Sequence, residues 1–333
     1  MIAASALTSG LIEASEPPEY RGVARDAVKM LVTDRRNRSQ SHARFYDLPS
    51  LLRAGDLLVV NDSATMPAAV RARRPDGSAV ALHVSTKIDA RLWMAEPRGP
   101  VVAGDVLALP GGASATMLAP VDAQRPRLWY ATFALNAPME RYLAEFGAPI
   151  TYGYLEGRFP LADYQTLFAR SAGSSEMPSA ARPFTQRVVA RLRDRGVELA
   201  SVTLHCGVAS FEAPERPGTE RFIVTVETAA RLNAAKRAGR RVIAVGTTVV
   251  RALESAATEE GVIATAGWTD LFIDATYRPR VVDALLSGFH GANATHLDML
   301  GAFVDGELLE SAYREAGEQG YFYHEFGDVH LIC

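Results

Sequence analysis

The most chemically suggestive stretch of this 333-residue chain is Val242-Ile243-Ala244-Val245-Gly246-Thr247-Thr248-Val249-Val250-Arg251. An apolar strand ending at Gly246 turns tightly into a helix, and the first N–H groups of a helix attract an anion such as a carboxylate or phosphate. In an open α/β sheet such a turn lies at the C-terminal end of a strand, where ligands collect. No Gly-Lys-[Ser/Thr] follows, so the turn does not read as a Walker loop. A structural alternative stays open: a helix N-capped by Thr247 or Thr248, with Arg251 and Glu254 pairing on its surface.

A second apolar strand, Ser201-Val202-Thr203-Leu204, ends in His205-Cys206-Gly207. His205 could act as a general acid or base near neutral pH, or sit satisfied at a strand end. Cys206 reads as a small buried residue, since nothing beside it in sequence lowers a thiol pKa. His290, His296 and Asp298 form one polar group, and His324, Glu325, Asp328 and His330 another. Neither has the i, i+4 histidine pair of a helical zinc motif, so no metal is expected. The lack of a Gly-x-Ser-x-Gly elbow argues against a serine hydrolase. No Gly-x-Gly-x-x-Gly follows a strand, which argues against a dinucleotide fold.

The elements that must position these residues alternate between helix and strand. Residues 26–35 are strand-like, and 45–62 give a short helix and then the strand Leu57-Leu58-Val59-Val60, which stops at Asn61-Asp62. Over 67–133, short alternating segments separated by Gly, Pro and Asp predict a small antiparallel barrel or sandwich. A helix over 139–147 follows. Beyond it come a helix with Phe184, Val188, Val189 and Leu192 on its apolar face, a strand over 197–207, a helix over 227–239 capped by Gly239 and a strand over 240–248. A helix over 249–257 and a strand over 269–274 complete the alternation, which implies an α/β domain with a mostly parallel sheet. Residues 1–18 read as a loose leader without the basic n-region of a signal peptide.

The length suggests two domains at roughly 150 residues each, and 48% hydrophobic with 22% charged residues is enough for a buried core. The net charge of −3 provides no global cationic field for nucleic acid. Locally, Arg170, Arg182, Arg187, Arg191, Arg193 and Arg195 face only Glu176 and Asp194, either as a solvated helix face or as a phosphate-contacting patch. With Cys206 and Cys333 the only cysteines, no disulfide framework is expected. No apolar run approaches the ~20 residues of a membrane span. A soluble, cytoplasmic protein is the expectation.

Seven stretches in this order resemble one family: 45–68 (FYDLPSLLRAGDLLVVNDSATMPA), 163–185 (DYQTLFARSAGSSEMPSAARPFT), 202–211 (VTLHCGVASF), 242–256 (VIAVGTTVVRALESA), 267–273 (GWTDLFI), 288–303 (GFHGANATHLDMLGAF) and 326–332 (FGDVHLI). The chain is identified by them as a member of the S-adenosylmethionine:tRNA ribosyltransferase-isomerase family of queuosine biosynthesis. The resemblance implies an α/β catalytic domain, 1–66 and 135–333, interrupted by an antiparallel β-barrel, 67–134. It implies transfer and isomerisation of the ribosyl part of S-adenosylmethionine onto the aminomethyl group of a 7-deazaguanine base in tRNA. Adenine and methionine leave, and an epoxycyclopentanediol remains. S-adenosylmethionine is then a substrate, with no further cofactor.

Within the matching motifs, Gly246, Thr247, Thr248 and Arg251 suit the methionine carboxylate. The expected catalytic set is His205, His290 and Asp270. Asp270, Asp328, Trp268 and Phe289 suit a cation or the adenine, and Asn61 and Asp62 the ribose hydroxyls. Tyr164, Gln165, Thr203, Glu254 and Thr269 complete the expected substrate-binding residues.

The sequence also departs from the family pattern. Ala64 and Ala69 stand where arginines are expected, and Ala181-Arg182-Pro183 replaces Gly-Leu-His. Ala209-Ser210-Phe211 replaces Gly-Thr-Phe, Pro217-Gly218-Thr219-Glu220 replaces Met-His-Ser-Glu, Ser287-Gly288 replaces Thr-Asn, and Tyr321-Phe322-Tyr323 replaces Tyr-Arg-Phe. Arginine is the favoured phosphate partner. Three functions therefore stay open: the family reaction on a tRNA gripped by the basic segment 170–195; a paralogue that uses a small-molecule acceptor or cleaves the donor without tRNA; and a non-catalytic S-adenosylmethionine-binding protein.

Overall fold

The structure is a computed structural model that describes residues 10–123, 127–208, 218–291 and 296–333. At its centre Glu198–Leu204, Leu57–Asn61, Val242–Val245 and Ala284–Gly288 lie side by side and parallel. These strands read as unbroken apolar runs because both faces are buried. Leu57, Val59, Val242 and Ala244 point into one core, and Leu58, Val60, Ile243 and Val245 into the other. Helices Val226–Arg237, Thr247–Ser255 and Gly306–Glu318 cover the first face through Leu232, Val249, Leu253, Leu308 and Tyr313. Leu48–Leu51 and Gln186–Asp194 cover the second through Leu48, Val188 and Leu192. Three of these helices start on side-chain caps: Thr185 accepts from the Val188 amide (3.3 Å), Thr225 from Thr228 (3.1 Å) and Asp305 from Leu308 (3.1 Å).

The sheet is parallel at the centre and mixed toward its edges. Glu220–Val224 and Thr265–Thr269 extend one side antiparallel. On the other, Val329–Ile332 runs antiparallel to Ala284–Gly288, Lys29–Asp34 parallel to Val329–Ile332, and Ser39–Arg44 antiparallel at the margin. The pairings Val202↔Asn61 and Val245↔Leu286 bring the carboxyl ends of the central strands to one edge.

From that edge the chain passes through Ser63–Thr65, paired with Ser171–Ser174, into six antiparallel strands between Ala69 and Ala134 that close into a barrel rather than a sandwich. Val70, Leu82, Trp93, Leu107 and Met117 fill it. It docks on the sheet through polar bonds: Ser175 Oγ donates to the Val84 carbonyl (2.8 Å), and the Val208 amide donates to Ser85 Oγ (2.9 Å).

Two expectations are corrected. The strand expected over 269–274 lies instead at Thr265–Thr269, and the apolar residues after it serve the core as loop, with Ile273 1% exposed. The supposed leader is anchored where it is described: Ile12–Glu13 pairs with Phe322–Tyr323, and Ala14 is fully buried. Residues 1–9 lie outside the described residues, as do Ala209-Ser210-Phe211 and Pro217. Both cysteines are free thiols. Among the described residues no helix is long and apolar enough to cross a membrane.

Candidate active site

A cavity of about 270 Å3 opens between the carboxyl edge of the sheet and the barrel. The turn at Gly246-Thr247-Thr248 lines it from the sheet, Ser85, Thr86 and Met94 from the barrel, and Tyr152, Tyr164 and Glu176 from the connection between them. His290, His296, His324 and Glu325 close the remaining side. Among the expected residues, the cavity thus brings together Tyr164, Gly246, Thr247, Thr248, Arg251, Phe289 and His290.

Gly246 adopts φ 92°, a left-handed value that penalises a Cβ, and an added Cβ would approach that of Ala180 to 3.3 Å. Gly246 itself is the N-cap, and no side chain caps the helix. Thr247 and Thr248 are the first helical residues, which corrects the reading of either as the cap. An uncapped helix start on a cavity is suited to an anion.

Arg251, 4% exposed, is committed to protein partners. It forms an ion pair with Glu220 and donates to the carbonyls of Gly218 (3.0 Å), Leu271 (3.0 Å) and Thr269 (3.1 Å). Burial pushes the Glu220 carboxyl up, and Arg251 opposes the shift. The guanidinium therefore holds the 218–220 and 269–271 segments together instead of clamping a ligand carboxylate. Nor does it pair with Glu254. That carboxylate accepts from the amides of Arg280 (2.9 Å), Val281 (3.0 Å) and Val282 (3.1 Å), fixing the approach to Ala284–Gly288.

Several expected ligands are structural. Asn61, fully buried, donates to the Leu204 carbonyl (2.8 Å) and accepts from the Ser63 and Leu204 amides (3.0 Å each), stitching two strand ends. Asp62 accepts from Thr203 Oγ1 (2.6 Å) and Ser201 Oγ (3.1 Å). Gln165 brackets the backbone of Thr65 (3.0 and 2.7 Å). His205 lies outside the cavity lining: its Nδ1 meets Ser63 Oγ at 2.8 Å and its ring packs where a Cβ on Gly173 would be. Burial, then the charge of Arg221, lowers its pKa.

Asp270 is exposed and Trp268 is 43% exposed on the outermost strand, away from the cavity. Thr269 bonds Ser255 (2.7 Å). Asp328 accepts from the Lys29 (2.6 Å) and Phe322 (2.8 Å) amides, so it joins three strands. Phe289, with no exposed surface, stacks on His330 at 5.5 Å and belongs to the core as much as to the cavity.

His290 is the expected catalytic residue that does reach the cavity. Its ring stacks on His296 at 4.3 Å, and its Nε2 lies 3.2 Å from Ser287 Oγ. Burial, with His296 and His324 nearby, holds His290 well below the usual imidazole range, and burial brings His296 to about 4. Both rings are therefore neutral near pH 7, competent to accept a proton or to hydrogen-bond a base. Among the described residues no group of three or more His, Cys, Asp or Glu is placed to hold a metal ion.

Sequence reasoning missed Tyr152, Tyr154 and Glu176, and considered Glu325 and His324 only as metal-ligand types. Tyr152 donates to Glu176 and Tyr154 to Glu325, while the Tyr154 ring stacks on His324 at 4.0 Å. Glu176 lies within the stretch 163–185 without being singled out there, and Tyr152, Tyr154, His324 and Glu325 fall outside every quoted stretch, because residues 152–176 and 324–325 meet only in the folded chain.

None of the six arginines of the basic segment, Arg170 included, lines the cavity. Arg182 pairs with Glu19 (3.0 Å), Arg187 with Asp26 (2.7 Å), and Arg191 donates to the Tyr46 carbonyl (2.8 Å). Arg193 and Arg195 end the helix that leads into the amino end of Glu198–Leu204, the opposite edge of the sheet from the cavity.

Comparison with known proteins adds sequence-wide likeness to this geometry. Residues 7–332 match the model of the family described as queuosine biosynthesis protein. The chain is 38% identical over 339 residues to the S-adenosylmethionine:tRNA ribosyltransferase-isomerase of Thermus thermophilus, covering 95% of this chain and 96% of that one. With the enzyme of the same name from Moorella thermoacetica it shares 36% over 320 residues, covering 92% and 93%. A crystal structure of S-adenosylmethionine tRNA ribosyltransferase from Thermotoga maritima superposes with a TM-score of 0.57 at 28% identity, covering 99% of this chain and all of the other.

Proposed function

Since the chain belongs to the queuosine biosynthesis protein family, we propose that it is an S-adenosylmethionine-dependent transferase and isomerase that moves the donor's ribosyl part onto an acceptor amine, releasing adenine and methionine. The observation that carries this reading is one cavity holding both an uncapped helix start at Gly246-Thr247-Thr248 and two stacked histidines, His290 and His296. The methionine carboxylate binds at the helix start, where the macrodipole and the first N–H groups favour an anion. The sulfonium acidifies the neighbouring C5′ protons. His290 or His296, uncharged at pH 7, takes one of them or donates a hydrogen bond to the departing adenine.

The acceptor in this reading is the 7-aminomethyl-7-deazaguanine base of tRNA, in keeping with the names of the relatives. A second reading, a small-molecule acceptor, is favoured by one observation: none of Arg170, Arg182, Arg187, Arg191, Arg193 and Arg195 lines the cavity.

Mass spectrometry of adenine and methionine, after incubation of the protein with S-adenosylmethionine, separates these. Release only with tRNA bearing the aminomethyl base supports the tRNA reaction, and the binding should then weaken steeply with salt. Release without tRNA, or only with a small-molecule extract, supports the second reading. Tight donor binding with no release under any condition refutes an enzymatic role.

A further inference from the structure

The wall of the cavity opposite the barrel carries negative charge that the proposed chemistry has not yet used. Glu325 lines the cavity and is half-buried. It stands in a tight turn in which His324 adopts φ 74° and the Gly327 amide donates to the His324 carbonyl (3.0 Å). A left-handed non-glycine residue is costly, and such strain persists where the surrounding structure holds it. Here the His324 ring is held between Tyr154, stacked at 4.0 Å, and Glu13, 2.9 Å from its Nε2. The consequence is that Glu325 is turned toward the cavity.

Tyr154 donates to Oε2 of Glu325, and Oε1 bonds no other described residue. The nearby guanidinium of Arg182 is spent on Glu19 (3.0 Å) and on the Asp163 carbonyl (3.0 Å). Burial pushes the Glu325 carboxyl up, the shift a bound cation reverses. Beside it Tyr164, 4% exposed and in the same lining, keeps its hydroxyl buried beside Thr151. A carboxylate oxygen that no other described residue satisfies, in a cavity wall, calls for a ligand that does.

We propose that Glu325, buttressed by Tyr154 and His324, is a recognition site for the positive charge of the substrate. Two groups have that chemistry, the sulfonium of the donor and the ammonium of the acceptor. A carboxylate beside aromatic rings attracts either, and the attraction is strong where water is excluded. This inference rests on the proposed use of S-adenosylmethionine.

Calorimetric titration of wild type, Glu325→Gln and Tyr154→Phe with S-adenosylmethionine and with its neutral thioether, S-adenosylhomocysteine, tests it, alongside the KM for the aminated acceptor. If Glu325 meets the sulfonium, Glu325→Gln weakens S-adenosylmethionine about tenfold and the thioether less than about twofold, with Tyr154→Phe intermediate. If it meets the ammonium, donor affinities stay level and only the acceptor KM rises, by a similar factor. Equal losses for both nucleosides, or no change in any of the three quantities, overturn the proposal. Should wild type bind neither nucleoside, the functional reading fails. The wall is then judged by trimethylsulfonium, which should raise the melting temperature of wild type and not of Glu325→Gln; no such difference overturns it as well.

Discussion

Replacing Arg251 by alanine should damage the fold rather than only the binding of a ligand. The side chain is 4% exposed and holds Glu220 in an ion pair together with three backbone carbonyls. Removing one partner of a buried pair costs about 3–5 kcal/mol. Each abandoned carbonyl adds roughly 1 kcal/mol, less than additively because the bonds share one guanidinium. The expected loss is about 4–6 kcal/mol, a large part of the ~5–15 kcal/mol that stabilises a typical protein. Arg251→Lys keeps the charge but not the fork that reaches several acceptors, and should lose about 2 kcal/mol. In the double variant Arg251→Met/Glu220→Leu neither charge is left buried alone, so its loss should fall below the sum of the single losses by about 2 kcal/mol or more. Urea denaturation of wild type, these three variants and the single variants Arg251→Met and Glu220→Leu, with donor titration of those that fold, measures these quantities. The reasoning is refuted if Arg251→Ala stays within about 1 kcal/mol of wild type while losing donor affinity more than about tenfold, since that is how a ligand-binding arginine behaves.

Other outcomes follow from the same geometry. His330, 1% exposed with Nε2 2.7 Å from Thr33 Oγ1, has its pKa brought by burial to about 3. Because the unfolded state binds a proton near pH 6.5 and the folded state does not, stability is present above 6.5 and falls as pH drops toward 3. Between pH 6.5 and 5 this amounts to about 2 kcal/mol, and His330→Gln should show a correspondingly flatter pH dependence of its urea midpoint; equal slopes would contradict the assignment. Gly246→Ala places a Cβ at φ 92° beside Ala180, so it should cost about 1–2 kcal/mol and weaken donor binding. Undiminished affinity by titration would mean the turn does not contact the donor. His205→Asn retains a polar partner for Ser63 and should leave turnover within about threefold, whereas a drop beyond about a hundredfold in a stable variant would restore His205 to the catalytic set.

The central strands were legible because their apolar runs have only one physical reading once each lies between two helical layers. Leu57 to Val60 and Val242 to Val245 send alternate side chains into the two cores, and no polar residue interrupts them. The short alternating segments of 67–133 showed an antiparallel barrel or sandwich, and the choice of barrel depends on pairing between Ala69–Arg73 and Val106–Ala108, which no local signal encodes. The strand near Trp268 was misplaced because Leu271 and Ile273 are apolar for the sake of the core and not of a ladder.

At the site the division is sharper. The sequence by itself marked the strand–turn–helix at Gly246, since glycine suits the φ that the turn requires and the strand before it points to the ligand edge, while the absence of a threonine cap came from the structure. It also determined family membership, because many short motifs in one order are preserved from end to end. Only the tertiary structure decided which polar residues are spent on the fold. Asn61, Asp62, His205 and Arg251 each carry chemistry that could serve a substrate, and each is bonded to partners distant in sequence, His205 through Nδ1 alone. Tyr152 and Glu325 lie outside every quoted stretch and far apart in sequence, yet both line the cavity with Tyr164 and Glu176. The physical reason is that a side chain's function depends on its unsatisfied valence, which is settled by contacts across the fold and cannot be read from residue type or spacing.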